Sequence, residues 1–78
     1  MSDDVLERVQ QVCRDVFEDD DIVLTRSSTA KDIEGFDSLM KITFFVALEE
    51  EFGLRFGSAE IADLPDMGAV ADLVRAKL

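Results

Sequence analysis

The 78-residue sequence contains no histidine, tryptophan or tyrosine, one cysteine and one proline. Without histidine, neither a Ser/His/Asp triad nor a Cys/His pair can form, and mixed Cys/His zinc sites are excluded as well. Cys13 alone cannot close an internal disulfide, and a lone thiol fits a reducing cytoplasm better than a secreted scaffold. Basic residues are scarce: eight Lys and Arg stand against eighteen Asp and Glu, a formal net charge of -10. That balance argues against nucleic acid, whose phosphates need a basic footprint, and against anionic membrane surfaces. It either steers partners bearing a basic patch toward the chain or simply keeps a small protein soluble. Long apolar runs are missing too. Phe44 to Leu48 is far too short to span a bilayer, and the acidic start Met1-Ser2-Asp3-Asp4 lacks the basic stretch of a secretory signal. No Gly-rich phosphate loop is present. The expectation is one cytoplasmic, monomeric domain over residues 1–78, with a marginal core of roughly 3–5 kcal/mol.

What remains is helical patterning. Val5, Leu6, Val9, Val12, Cys13, Val16 and Phe17 recur at steps of three and four, which predicts an amphipathic first helix of about four turns. Asp3 and Asp4 suit its positive end, and the acidic cluster Glu18 to Asp21 stops it. A long connection then runs from about Asp19 to Asp37. Within it, Ile22, Val23 and Leu24 are expected to fold back on the helices as a lid, and Thr29-Ala30-Lys31-Asp32 has capping-box spacing. Ser38 to Phe52 reads as the second long helix, with Asp37 as N-cap and Gly53 as terminator. Apolar residues lie nearly all round it, so it is either central or partly offered to a partner. Phe45 and Phe52, seven residues apart, are both expected in the core. Ser58 to about Asp63 predicts a short helix. Asp66 caps the last one, whose inner face carries Met67, Val70, Leu73, Val74 and Leu78, with Gly68 allowing close packing. The predicted architecture is all-α: three main helices, one or two short ones, and a long first loop.

Candidate chemistry is sparse. Cys13 lies on the apolar stripe of the first helix, where a thiol is structural. Asp19-Asp20-Asp21 lacks the glycine and distant glutamate of a calcium loop and reads as a solvated turn. The segment Gly35-Phe36-Asp37-Ser38-Leu39 is left. Asp37 caps a helix, and Ser38 occupies its first turn with its hydroxyl toward solvent. A phosphodiester on that oxygen would lie at the positive helix end, near unpaired backbone N–H groups. Gly35 gives a modifying enzyme access to the backbone. Taken alone, the triplet is also what a plain helix start looks like.

With Val46-Ala47-Leu48-Glu49-Glu50-Glu51-Phe52 behind it, the segment resembles the acyl carrier protein family over nearly the whole chain. The Phe52-Gly53-Leu54-Arg55-Phe56 link and the Leu64-Pro65-Asp66-Met67 turn extend the likeness. The resemblance implies a non-catalytic carrier of thioester-bound acyl groups on 4'-phosphopantetheine, attached at Ser38 by a phosphopantetheinyl transferase. It also implies that acyl-loading and acyl-processing enzymes read a face containing Asp37, Leu39, Met40, Lys41, Glu49 and Glu50. Two departures stand out. Asp32-Ile33-Glu34-Gly35-Phe36-Asp37 is one residue longer than the loop of fatty-acid carriers, and Met40, Lys41 and Thr43 replace their usual acids. These differences point to a polyketide or other specialised pathway. A peptidyl or aminoacyl carrier shares the serine and differs in cargo. An unmodified acidic adaptor is the reading from another class, and it has no use for a hydroxyl at this helix start.

Overall fold

The first apolar stripe folds as helix α1, Asp4–Phe17, with Val9, Val12 and Cys13 buried and Asp4 and Glu7 in its first turn. The computed structural model describes residues 4–78, so the expected role of Asp3 lies outside the described residues. α1 ends where the acidic cluster begins. Glu18 turns left-handed at φ 52°, and the Asp19 N–H donates to the Arg14 carbonyl at 3.0 Å.

Helix α2, Ser38–Phe52, has the two ends its sequence predicts. The Asp37 carboxylate accepts from the Met40 N–H at 2.9 Å, and Gly53 turns left-handed at φ 67° with its N–H on the Glu49 carbonyl. Phe44, Phe45 and Leu48 form its buried face. Phe17, Phe36, Phe44, Phe45 and Phe56 make a continuous chain of ring contacts, with centroids 5.4 to 5.8 Å apart. Phe45 is core as expected. Phe52 is only half-buried, because it is the last residue of α2 and the chain turns away at Gly53. Its ring is covered by the Arg8 guanidinium, 4.4 Å from the centroid, which also pairs with Glu51.

Two further helices close the bundle: α3, Ser58–Ala62, and α4, Met67–Lys77, whose N-cap Asp66 accepts from the Ala69 N–H. α1 packs against both α2 and α4. On α4, Met67, Val70 and Val74 are buried and Leu73 half-buried, whereas Leu78 is exposed. Leu78 follows the last residue of α4 as its C-cap, outside the helix whose inner face is buried. The Glu60 carboxylate joins α3 to α4, accepting from the Gly57 N–H and pairing with Lys77. Those two contacts, the Gly57 bond first, hold its carboxyl below the ordinary range.

The long loop between α1 and α2 contains one 3-10 turn, Ala30–Asp32, with the Asp32 carboxylate accepting from the Thr29 N–H. Its backbone is tied to helices at both ends. The Gln10 side chain accepts from the Leu24 N–H at 2.8 Å, and Arg14 donates to the Ile22 carbonyl at 2.7 Å. Across the bundle, the Ser28 and Arg26 carbonyls accept from the Met67 and Gly68 N–H groups. The loop thus satisfies donors that the start of α4 leaves open. Leu24 is buried beneath this arrangement, while Val23 points outward, so the expected lid is narrower than three residues. No described helix is long and apolar enough to cross a membrane.

Candidate functional site

The segment leading into α2 is shaped before it reaches the serine. Gly35 sits at φ 82°, where a side chain would be strained, and the Asp37 N–H bonds back to its carbonyl at 3.0 Å. Access for an enzyme is therefore not the only reason for glycine at this position. The Phe36 ring is held between Phe17 and Phe44 and fixes the turn to the core. Asp37 then caps the helix, and Ser38 emerges as its first residue, exposed and with no side-chain partner among the described residues. The N–H groups of Ser38 and Leu39 likewise have no protein acceptor among the described residues.

Beside Ser38 opens a cleft of about 370 Å³. Phe44, Phe45, Met67 and Val70 give it apolar walls, and the loop around Ser28 and the Leu64–Asp66 turn close its sides. Asp37 and Lys41 also line it. A shallow apolar pocket is in keeping with a carrier, but its lining could not be read locally, since its walls come from segments distant in the chain.

The six residues expected on a partner face separate into different places. Asp37 and Lys41 are at the cleft, and Met40 is half-buried on a flank of α2. Leu39 is exposed, and so are Ile42 and Val46, three and seven residues further on. At 100° per residue, Leu39, Val46 and Glu50 fall within about 40° of arc on the outer side. Ile42 and Val46 escaped the sequence reading. A helix apolar on nearly every side has no periodic phase to say which side faces out. Once Phe44 and Leu48 are known to point inward, the outer stripe is determined. Glu49, at the far end, is half-buried with its carboxylate accepting from the Phe56 N–H at 2.8 Å, while Glu50 beside it is exposed.

Ser58 is also exposed at the first residue of a helix, but it does not line the cleft. Cys13 is buried, and burial, followed by the nearby Asp19 charge, pushes its thiol up to about 11. Among the described residues, no group of three or more His, Cys, Asp and Glu could hold a metal ion.

Residues 7–74 match the family described as "Phosphopantetheine attachment site". Among solved structures, the chain is similar to the solution NMR structure of a holo acyl carrier protein from Geobacter metallireducens. The two are 40% identical, with a TM-score of 0.88 over 94% of this chain and 84% of that one. No curated protein sequence matches. The start of α2 fits a phosphate-linked arm, since it combines an exposed hydroxyl, two open N–H groups and an adjoining apolar cleft. The chain belongs to the acyl carrier protein family, non-catalytic helical proteins that bear covalent 4'-phosphopantetheine and are served by phosphopantetheinyl transferases and acyl-processing enzymes.

Proposed function

We propose that Ser38 carries the 4'-phosphopantetheine and that this carrier serves a polyketide or other specialised pathway instead of general fatty-acid synthesis. The observation that carries the first part is the Ser38 hydroxyl: exposed, without a partner, at the first residue of α2 and open to the cleft. Ser27 and Ser28, by contrast, have their hydroxyls engaged with Thr25. The arm supplies a terminal thiol on which acyl groups travel as thioesters. The protein's own work is to hold Asp37 and Ser38 in register, present a readable helix and offer an apolar cleft beside the attachment point.

The pathway reading is supported by Met40, Lys41 and Thr43, which remove acid from the first turns of α2, and by the exposed Leu39, Ile42 and Val46. The chain acts as a monomeric single domain. The three apolar side chains exposed on α2 fall short by themselves of the roughly 1,000 Å² that a stable interface requires.

Intact mass tests the attachment. Incubation with coenzyme A and a broad-specificity phosphopantetheinyl transferase should add one phosphopantetheinyl group to wild type and none to Ser38→Ala. A labelled Ser38→Ala, or a folded wild type that several transferases leave unmodified, refutes the assignment.

A further inference from the structure

Lys41 is one of the chain's eight basic residues. Arg8, Arg26 and Lys77 are each paired with a carboxylate, and Arg14 is bonded to a loop carbonyl. The Lys41 ammonium group, like the exposed side chains of Lys31 and Arg55, has no ion-pair or hydrogen-bond partner among the described residues, in a chain with more than two acids for each base. Nor is it loose on the surface. Unlike those two, Lys41 is half-buried and lines the same cleft as Ser38, so part of its aliphatic stem packs there. It is the one cation among the residues lining that cleft, where Asp37 and Asp66 are the ionisable neighbours. Both carboxylates already accept a backbone N–H, from Met40 and Ala69 respectively.

We infer that the Lys41 ammonium group pairs with the phosphodiester formed on Ser38 and so holds the root of the arm over the cleft. The inference rests on Ser38 being the attachment point. Ser38 and Lys41 are three residues apart on one helix, a spacing that brings Cβ atoms to about 5–6 Å and side-chain ends into contact. The phosphate is one bond from Ser38 Oγ, within reach of a lysine stem one turn away. A charge-assisted N–H···O bond of about 2.7–2.9 Å is then accessible. The need for it is electrostatic. The modification adds an anion beside the Asp37 carboxylate in a chain of net charge -10, and Lys41 offsets that crowding. A carboxylate on the cargo is the less suitable partner. It would sit at the far end of the arm, whereas Lys41 is beside the root.

The experiment uses full-length wild type, Lys41→Met, Lys41→Arg and the control Lys31→Met, each converted to the holo form and followed by intact mass. Phosphorus NMR and ¹⁵N-ammonium NMR are then recorded on the holo proteins. The Lys41 ammonium resonance should move between apo and holo wild type, while that of Lys31 stays in place. The phosphorus resonance should move in Lys41→Met, return toward wild type in Lys41→Arg and be unchanged in Lys31→Met. Raising salt to about 0.5 M, where screening acts within about 5 Å, should draw wild type toward Lys41→Met. A normal mass gain with an unmoved Lys41 ammonium resonance overturns the pairing and leaves the Ser38 assignment standing. A wild type that gains no mass overturns both. The apo-to-holo comparison needs no variant, so a poorly folded substitution cannot rescue the idea.

Discussion

Phe44 and Phe52 show how position along one helix decides what a phenyl ring contributes. Phe44 is fully buried in the ring chain, and its truncation to alanine should cost about 3–5 kcal/mol, comparable with the whole stability of so small a domain. Phe52 is half-buried beneath Arg8, and Phe52→Ala should cost about 1–2 kcal/mol, including the cation–π contact. Urea unfolding of both variants checks the order, and equal losses would contradict the burial seen here. Ser38→Ala, by contrast, should change stability by no more than about 0.5 kcal/mol, because an exposed, unbonded hydroxyl holds nothing in place. Cys13 gives a pH signature of its own. Its thiol is raised from 9.0 to about 11 in the folded chain, chiefly by burial. Between those values the unfolded chain loses the proton and the folded chain keeps it. The Cys13 contribution is therefore intact below pH 9 and falls as the pH rises toward 11, by at most about 1.4 kcal/mol per unit. Denaturation of wild type and Cys13→Ala across that range should show the steeper loss in wild type.

The contact between the long loop and α4 explains a glycine that propensity alone disfavours. A Cβ on Gly68 would lie 2.7 Å from the Arg26 carbonyl oxygen and 3.0 Å from the Arg26 Cβ. Alanine improves helix propensity by up to about 1 kcal/mol but displaces a backbone oxygen that the Gly68 N–H itself uses. Gly68→Ala should therefore destabilise by about 1–2 kcal/mol net. Amide exchange at Met67 and Gly68 should quicken as the loop lifts; a more stable variant would mean that the loop moves freely. The same contact marks where the sequence stops being informative. α1 was legible because its apolar residues repeat at one phase, and the caps of α2 because Asp37 and Gly53 act locally. The place of Ser38 at the first residue of α2 was legible for the same reason. The lining of the cleft was not legible, since Met67 and the loop around Ser28 meet only through pairings distant in the chain. Phe52 and Leu78 were misplaced because periodicity assigns a face without saying how far the neighbouring helix extends.

At the level of the whole molecule, acidity and the apolar stripe on α2 act on partners in different ways. The net charge of -10 favours encounter with basic surfaces, while the exposed Leu39, Ile42 and Val46 supply what can be desolvated on contact. The resemblance places Met40 and Lys41 on the face that enzymes read, where fatty-acid carriers bear acids. Met40, however, lies half-buried on a flank, and Lys41 lines the cleft. Ile42 and Thr43 are exposed toward the outer side. Loss of an apolar anchor at an interface costs about 2 kcal/mol or more, whereas a rim charge mainly changes the on-rate and its salt dependence. Ile42→Ala should therefore weaken loading by the cognate enzyme about 30-fold, and Met40→Ala should weaken it less. Thr43→Glu, which restores an acid on the outward side, should speed loading by fatty-acid synthase enzymes at low salt and lose that advantage as salt rises. Lys41→Glu should help them less, because its charge lies at the cleft. Acyl-loading rates of the four variants with both enzyme types across a salt series decide the matter. A larger gain from Lys41→Glu than from Thr43→Glu would show that enzymes approach over the cleft and would shift the recognition surface to that side of α2.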